Sequence, residues 1–178
     1  MKNIFYPLLA ATILLTSAMY VSPTQDFKIA DGYSIAFKSK DPSGVFKTMK
    51  GTIKFVETDL AISKFDLTFV VSSISTGNGM MNKKALTAEW FDATKYPDIK
   101  FTSTKVVKSG SDYSVTGKLT IKGITKEKSI PLKATKVGSG YTFSGSFGVN
   151  RMDFKVGKKS DAVPDVMNIS YSIPVLKK

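Results

Sequence analysis

Cysteine and histidine are both absent from the 178 residues, and arginine occurs once, at Arg151; every other one of the 26 cationic side chains is lysine. Each absence excludes something. Without cysteine there is no disulfide staple and no thioether-linked lipid anchor, so a domain of this size must be held by its core. Without histidine the commonest metal ligand and the commonest general base are both missing. What remains is oxygen-ligand metal binding and carboxylate, lysine or hydroxyl chemistry. Carboxylates are themselves scarce, 14 Asp and Glu against those 26 bases, which leaves a net charge of +12. After residue 25 no apolar run is long enough for a spanning helix.

The chain does have a strongly marked N-terminus. Lys2 precedes an apolar run from Ile4 to Leu15, followed by Thr16, Ser17 and Ala18. This pattern predicts a secretory signal peptide over residues 1–18, cut after Ala18, and a single domain over residues 19–178. A retained anchor is the rival reading, but the run is shorter than the ~20 residues a spanning helix needs.

From Phe27 onward apolar residues recur with period two, as in half-buried strands. Phe27, Ile29, Tyr33, Ile35 and Phe37 share one parity; Phe65, Leu67, Phe69 and Val71 share another, against Lys64, Asp66 and Thr68. Ile53 and Phe55, Ile99 and Phe101, and Tyr113, Val115, Leu119 and Ile121 repeat the pattern. So do Ile130 and Leu132; Tyr141, Phe143, Phe147 and Val149; and Ile169, Tyr171, Ile173 and Val175. Turn signals at DPSG (41–44), STGNG (75–79), KSGSD (108–112) and VGSG (137–140) separate these runs, so sequence neighbours should pair antiparallel. One segment differs: Asn82 as N-cap, Leu86 and Trp90 four apart, and Pro97 as a stop predict a short helix over about 83–91. The fold class expected is all-β, with about eight antiparallel strands and one short helix. Such strands bury their apolar faces by closing into a barrel or stacking as a sandwich.

Four stretches, SSISTGN (72–78), AEWFDATKYPDIKFTSTKV (88–106), VTGKLTIKGITKEKSIPL (115–132) and FGVNRMDF (147–154), resemble the YceI-like family in order and spacing, across nearly the whole chain after residue 18. The resemblance implies an extended lipocalin-like antiparallel β-barrel, exported to the periplasm or beyond, whose lumen holds a long amphiphile such as a polyisoprenoid. Many members carry two histidines where this chain has Tyr33 and Lys84, so roles needing imidazole do not transfer. The family's arginine, in its R-x-D-[FY] setting, is retained as Arg151.

Two candidate sites follow. On a strand, Arg151 and Asp153 would share the inward parity of Phe147 and Val149, as an internal ion pair, an arginine bonded to backbone carbonyls, or a clamp on an amphiphile's head group. The lumen lining would comprise Phe37, Phe55, Phe69, Phe101, Leu119, Phe143, Phe147 and Tyr171, with Trp90 from the helix. Lysines 54, 64, 100, 118, 122, 128 and 133 should coat the outside, as a solvated face or as contacts to an anionic membrane surface. Nucleic acid is not an expected partner, since those lysines are not interleaved with exposed aromatics. A homodimer is compatible with the sequence.

Catalysis finds little support. Ser72, Ser73 and Ser75 have no histidine to activate them, and the paired Asp of SDAVPD (160–165) lacks calcium-loop spacing. The reading is therefore a binding protein without cofactor or metal, acting as a carrier, store or scavenger. Its alternative is a stress-linked envelope protein with a packed core, whose lysine-rich surface binds membranes or anionic polymers.

Overall fold

A computed structural model of the chain describes residues 25–160 and 162–178. The expected signal peptide lies outside those residues. The extended segments are β1 (Asp26–Ile29), β2 (Ser34–Lys38), β3 (Ser43–Phe46), β4 (Met49–Lys54), β5 (Lys64–Val70), β6 (Ile74–Ser75), β7 (Asp98–Ser109), β8 (Asp112–Ile121), β9 (Ile124–Val137), β10 (Gly140–Asn150) and β11 (Val166–Lys177). Every pairing is antiparallel, and β1 bonds to both β4 and β11. The ring β1-β4-β5-β7-β8-β9-β10-β11 therefore closes into an eight-stranded barrel.

The remaining three segments are continuations of ring strands. β2 pairs with β11 beyond β1, from Ser34↔Ser172 to Lys38↔Asn168, so β1 and β2 are halves of one strand broken at residues 30–33. β3 and β4 are likewise halves of a second strand, and β5 and β6 of a third. Hydroxyls seal the breaks. Tyr33 Oη donates to Lys47 O and accepts from Met49 N, both at 3.0 Å, across the gap between β3 and β4. Ser73 Oγ accepts from Thr48 N and donates to Val70 O. These bonds satisfy backbone groups that the broken ladders would otherwise leave bare.

At the end where β1 begins, the barrel is closed by aromatic rings. Phe55 is fully buried and packs with its ring centroid 5.2 Å from Tyr113, 5.3 Å from Tyr141 and 5.2 Å from Phe143, all near-perpendicular. Such edge-to-face contacts add stability beyond the buried area alone. The two phenols turn their hydroxyls out to the Glu57 carboxylate, Tyr113 at 2.8 Å and Tyr141 at 3.4 Å. Phe55 is thus part of a plug and does not line the lumen, which corrects the expectation from its strand parity.

The helix begins earlier than expected. It is α1 (Gly79–Ala85), capped by Asn78, whose side chain accepts from the Met80 and Met81 amides. Asn82 lies inside the helix, and its Oδ1 accepts from Thr76 N and Thr76 Oγ1, both at 2.8 Å. With two asparagines four residues apart, the one preceding Gly-Met-Met wins the cap. Trp90 lies in the turns that follow the helix.

The barrel wall is also incompletely zipped. β9 and β10 share a ladder only between residues 133–137 and 140–144, leaving Ile124–Leu132 and Gly145–Asn150 without one. Tyr171, on β11, reaches across this slit to donate to Pro131 O at 2.6 Å. Gly145 makes the passage possible: a Cβ there would lie 2.3 Å from Pro131 O and 2.7 Å from Tyr171 Oη.

Replacing Phe55 with Ala should lower the unfolding free energy by about 3–5 kcal/mol, read from urea denaturation. Burial, and then the Glu57 carboxylate, push the Tyr113 phenol up to about 12. The unfolded phenol ionises first, near its ordinary value of about 10. Stability should therefore hold below about pH 10 and fall between about pH 10 and 12; Tyr113→Phe should flatten that fall, measured by denaturation across the alkaline range.

Candidate functional site

Above the aromatic plug lies a cavity of about 310 Å³ with an almost wholly apolar wall. Phe65 and Phe143 form its floor, and Phe37, Phe69, Phe101 and Leu119 its sides. Phe147 and Tyr171 continue the wall beside the slit, their ring centroids 6.4 Å apart. Trp90 also lines it, so eight of the nine residues expected to face a lumen do so, Phe55 being the exception. The mouth is where lining residues also reach solvent, at Pro42, Thr76, Met81 and Lys84. It is roofed by α1 and the turns after it, where Phe91 meets Phe46 edge to face at 6.1 Å.

Few polar groups reach this wall, and most are already engaged. The Tyr171 hydroxyl is spent on Pro131, and burial raises its pKa well above the ordinary phenol value. Arg151 lies in a single 3-10 turn, Arg151–Phe154, that follows the end of β10. It is not on a strand, so it shares no face with Asp153. Asp153 is exposed, and the arginine's carboxylate partner is Asp165, at 3.1 Å.

The other arginine donors go to main-chain carbonyls. Nε donates to Pro164 O at 3.0 Å, Nη1 to Val156 O at 3.0 Å and Lys158 O at 2.9 Å, and Nη2 to Val163 O at 2.8 Å. With Asp165 that accounts for all five guanidinium N–H groups. Of the alternatives, the structure shows the carbonyl-bonded arginine; its side chain borders the cavity with its N–H groups already engaged, Nη1 also lying 3.2 Å from Met152 Sδ. Lysine, with three donors and no planar fork, cannot reproduce this set.

A second tether acts beside it. Lys122 Nζ donates to Glu89 O at 3.1 Å and Lys155 O at 2.9 Å, binding the β8–β9 hairpin to both segments at the mouth. This lysine is therefore structural, whereas Lys64, Lys100, Lys118 and Lys133 are exposed on the barrel wall. Lys84 is different. Its ammonium sits 5.8 Å from the centroid of the Trp90 ring, with no hydrogen bond or carboxylate partner among the described residues. Trp90 Nε1 is buried and also lacks a partner there. No group of three or more Asp or Glu among the described residues is placed to hold a metal ion. No described helix is long and apolar enough to cross a membrane.

Comparison with known proteins agrees with this architecture. The YceI-like domain model matches residues 26–175. A UPF0312 protein of Photorhabdus laumondii is 33% identical over 138 residues, 71% of either chain. The YceI protein of Shigella flexneri is 37% identical over 97 residues, 54% of this chain and half of that one. Among solved structures, Burkholderia cenocepacia BcnA is similar with a TM-score of 0.76 at 29% identity, covering 80% of this chain and 95% of that one. A polyisoprenoid-binding domain from Saccharophagus degradans has a TM-score of 0.62 at 11% identity, over 86% and 94% of the two chains, a likeness of fold alone.

Arg151→Lys should orphan at least two of the five acceptors that the guanidinium serves and cost about 2–4 kcal/mol of stability. Thermal denaturation measures this, and protease sensitivity should rise within residues 156–165.

Proposed function

The chain belongs to the YceI-like domain family, and on that premise we propose that it is an exported binding protein that sequesters a long hydrophobic or amphiphilic molecule in its barrel. A polyisoprenoid or fatty-lipid chain is the ligand class proposed. The observation that carries the reading is the apolar cavity, closed at one end by the aromatic plug and reaching solvent beneath α1. Its volume of about 310 Å³ is at the low end of the ~300–1,000 Å³ typical of ligand sites. It suits one chain inserted tail first.

Affinity would come from the tail, since each buried CH₂ contributes roughly 0.8 kcal/mol, or ~8 kcal/mol for ten carbons before ordering costs. The head would be oriented at the mouth by Lys84, the lysine that lines the cavity and stands over the Trp90 ring. Sequestration needs no bond making, and the proposed role is carrier, store or scavenger, without catalysis or cofactor. The surface-binder alternative presumed a filled core, and the cavity removes that presumption.

Residues 1–18 are proposed as a signal peptide, delivering residues 19–178 as one domain to the periplasm or beyond. Loss of Lys2 with that peptide leaves the exported form strongly basic.

Leu119→Trp fills the cavity from the side and should weaken binding of a fluorescent long-chain fatty acid at least about tenfold. Lys133→Glu, on the outer wall, should leave it unchanged. Equal affinity in both variants would remove the cavity from the account.

A further inference from the structure

The cavity mouth is surrounded by an unusual concentration of lysine. Lys38 and Lys40 stand at the tip of the β2–β3 hairpin, Lys83 and Lys84 on α1, and Lys158 and Lys159 on the segment held by Arg151; all six are exposed. They belong to one end of the barrel. Lys38 pairs with Asn168 at the start of β11, Lys84 lines the mouth, and Lys158 approaches Glu89 of the roof at 3.9 Å. Acidic groups at this end are fewer than the lysines: Asp165 is held by Arg151 and Glu89 faces Lys158, which leaves Asp41 and the exposed Asp153 among the described residues.

An apolar side chain projects from the same rim. Met80, on the first turn of α1, is 79% exposed, more than any other large hydrophobic residue described. Its neighbour Met81 turns the opposite way, into the cavity wall. The helix carries no acidic residue. A flexible thioether chain beside a ring of ammonium groups fits a surface with anionic groups outside and hydrocarbon beneath. The wall lysines at 64, 100, 118 and 133 stand one on each of the neighbouring strands β5, β7, β8 and β9, where Glu127 sits opposite Lys118 and no apolar side chain is as exposed as Met80. β1 begins at the opposite, plugged end, where Phe27 pairs with Lys177.

We infer that the mouth rim is a docking surface for an anionic phospholipid bilayer, with Met80 entering the acyl boundary and the six lysines on the head groups. Docked this way, the barrel presents its open end to the membrane, and a lipid chain passes between bilayer and cavity without crossing bulk water. This goes beyond the cavity-binding reading and stands separately from it, because docking is read without any cavity ligand.

The test is co-sedimentation of the exported chain with vesicles of phosphatidylglycerol and phosphatidylethanolamine, against vesicles of phosphatidylcholine alone. The wild type should partition to the anionic vesicles and be released by about 0.5 M salt, where screening shortens to a few ångströms. The rim variant Lys40→Glu/Met80→Asp/Lys83→Glu, which alters no cavity-lining residue, should lose at least about tenfold in partitioning. A wall variant of similar charge change, Lys64→Glu/Lys118→Glu, which removes about four charges against the rim variant's five, should lose little. Equal losses from rim and wall, or partitioning that the rim variant leaves intact, would overturn the docking surface. Solution binding of the fluorescent fatty acid, measured on the rim variant, reads the cavity independently, so failure of one reading is not mistaken for failure of the other.

Discussion

The open end of the barrel depends on four main-chain carbonyls left behind when β10 stops at Asn150. The chain must travel from there to Val166 before it can pair again, and in doing so it turns the carbonyls of Val156, Lys158, Val163 and Pro164 inward. Buried acceptors without donors are costly. A single planar cation with five donors satisfies all four and a carboxylate besides. That requirement accounts for one arginine in a chain that otherwise uses only lysine, and it engages every guanidinium N–H within the protein.

The consequences spread from that node. With Val156 and Lys158 held, Gly157 between them gives the benzo edge of Trp90 a flat seat, where a Cβ would come within 3.1 Å of the ring. Gly157 N in turn donates to Glu89 O, and Lys122 ties Glu89 to Lys155. The roof over the cavity is therefore fastened at its edges by hydrogen bonds while its underside remains apolar. The opposite end is built on another principle, a cluster of rings in edge contact whose two phenols reach a carboxylate at the surface. Between a rigid plug and a fastened roof, the space is kept open by geometry rather than filled by collapse.

Much of this was legible from residue order. Alternation along each strand predicts which side chains face inward, and short turns predict antiparallel neighbours, so most of the cavity wall follows; alternation leaves barrel and sandwich open, and only the family resemblance points to closure. Parity cannot say how far along the barrel axis an inward residue lies, which is why Phe55 belongs to the plug and Phe101 to the wall. The Arg151–Asp165 pair spans a loop, and a strand-based reading finds Asp153 first because it assumes that β10 continues. The choice between Asn78 and Asn82 as helix cap rests on Thr76, which holds Asn82 inside the helix. The slit between β9 and β10 has one signal in the sequence, Gly145 opposite Tyr171, but its meaning depends on the strand beyond.

The central claim is that the barrel holds a lipid-like chain inside a cavity it keeps open. It is tested most directly by native mass spectrometry of the protein purified from its own host, with extraction and identification of whatever accompanies it. The account predicts one hydrophobic or amphiphilic molecule per barrel, retained through gentle desolvation and lost in the Leu119→Trp variant. A protein that arrives empty, and stays empty when polyprenols and long-chain fatty acids are supplied, would contradict it.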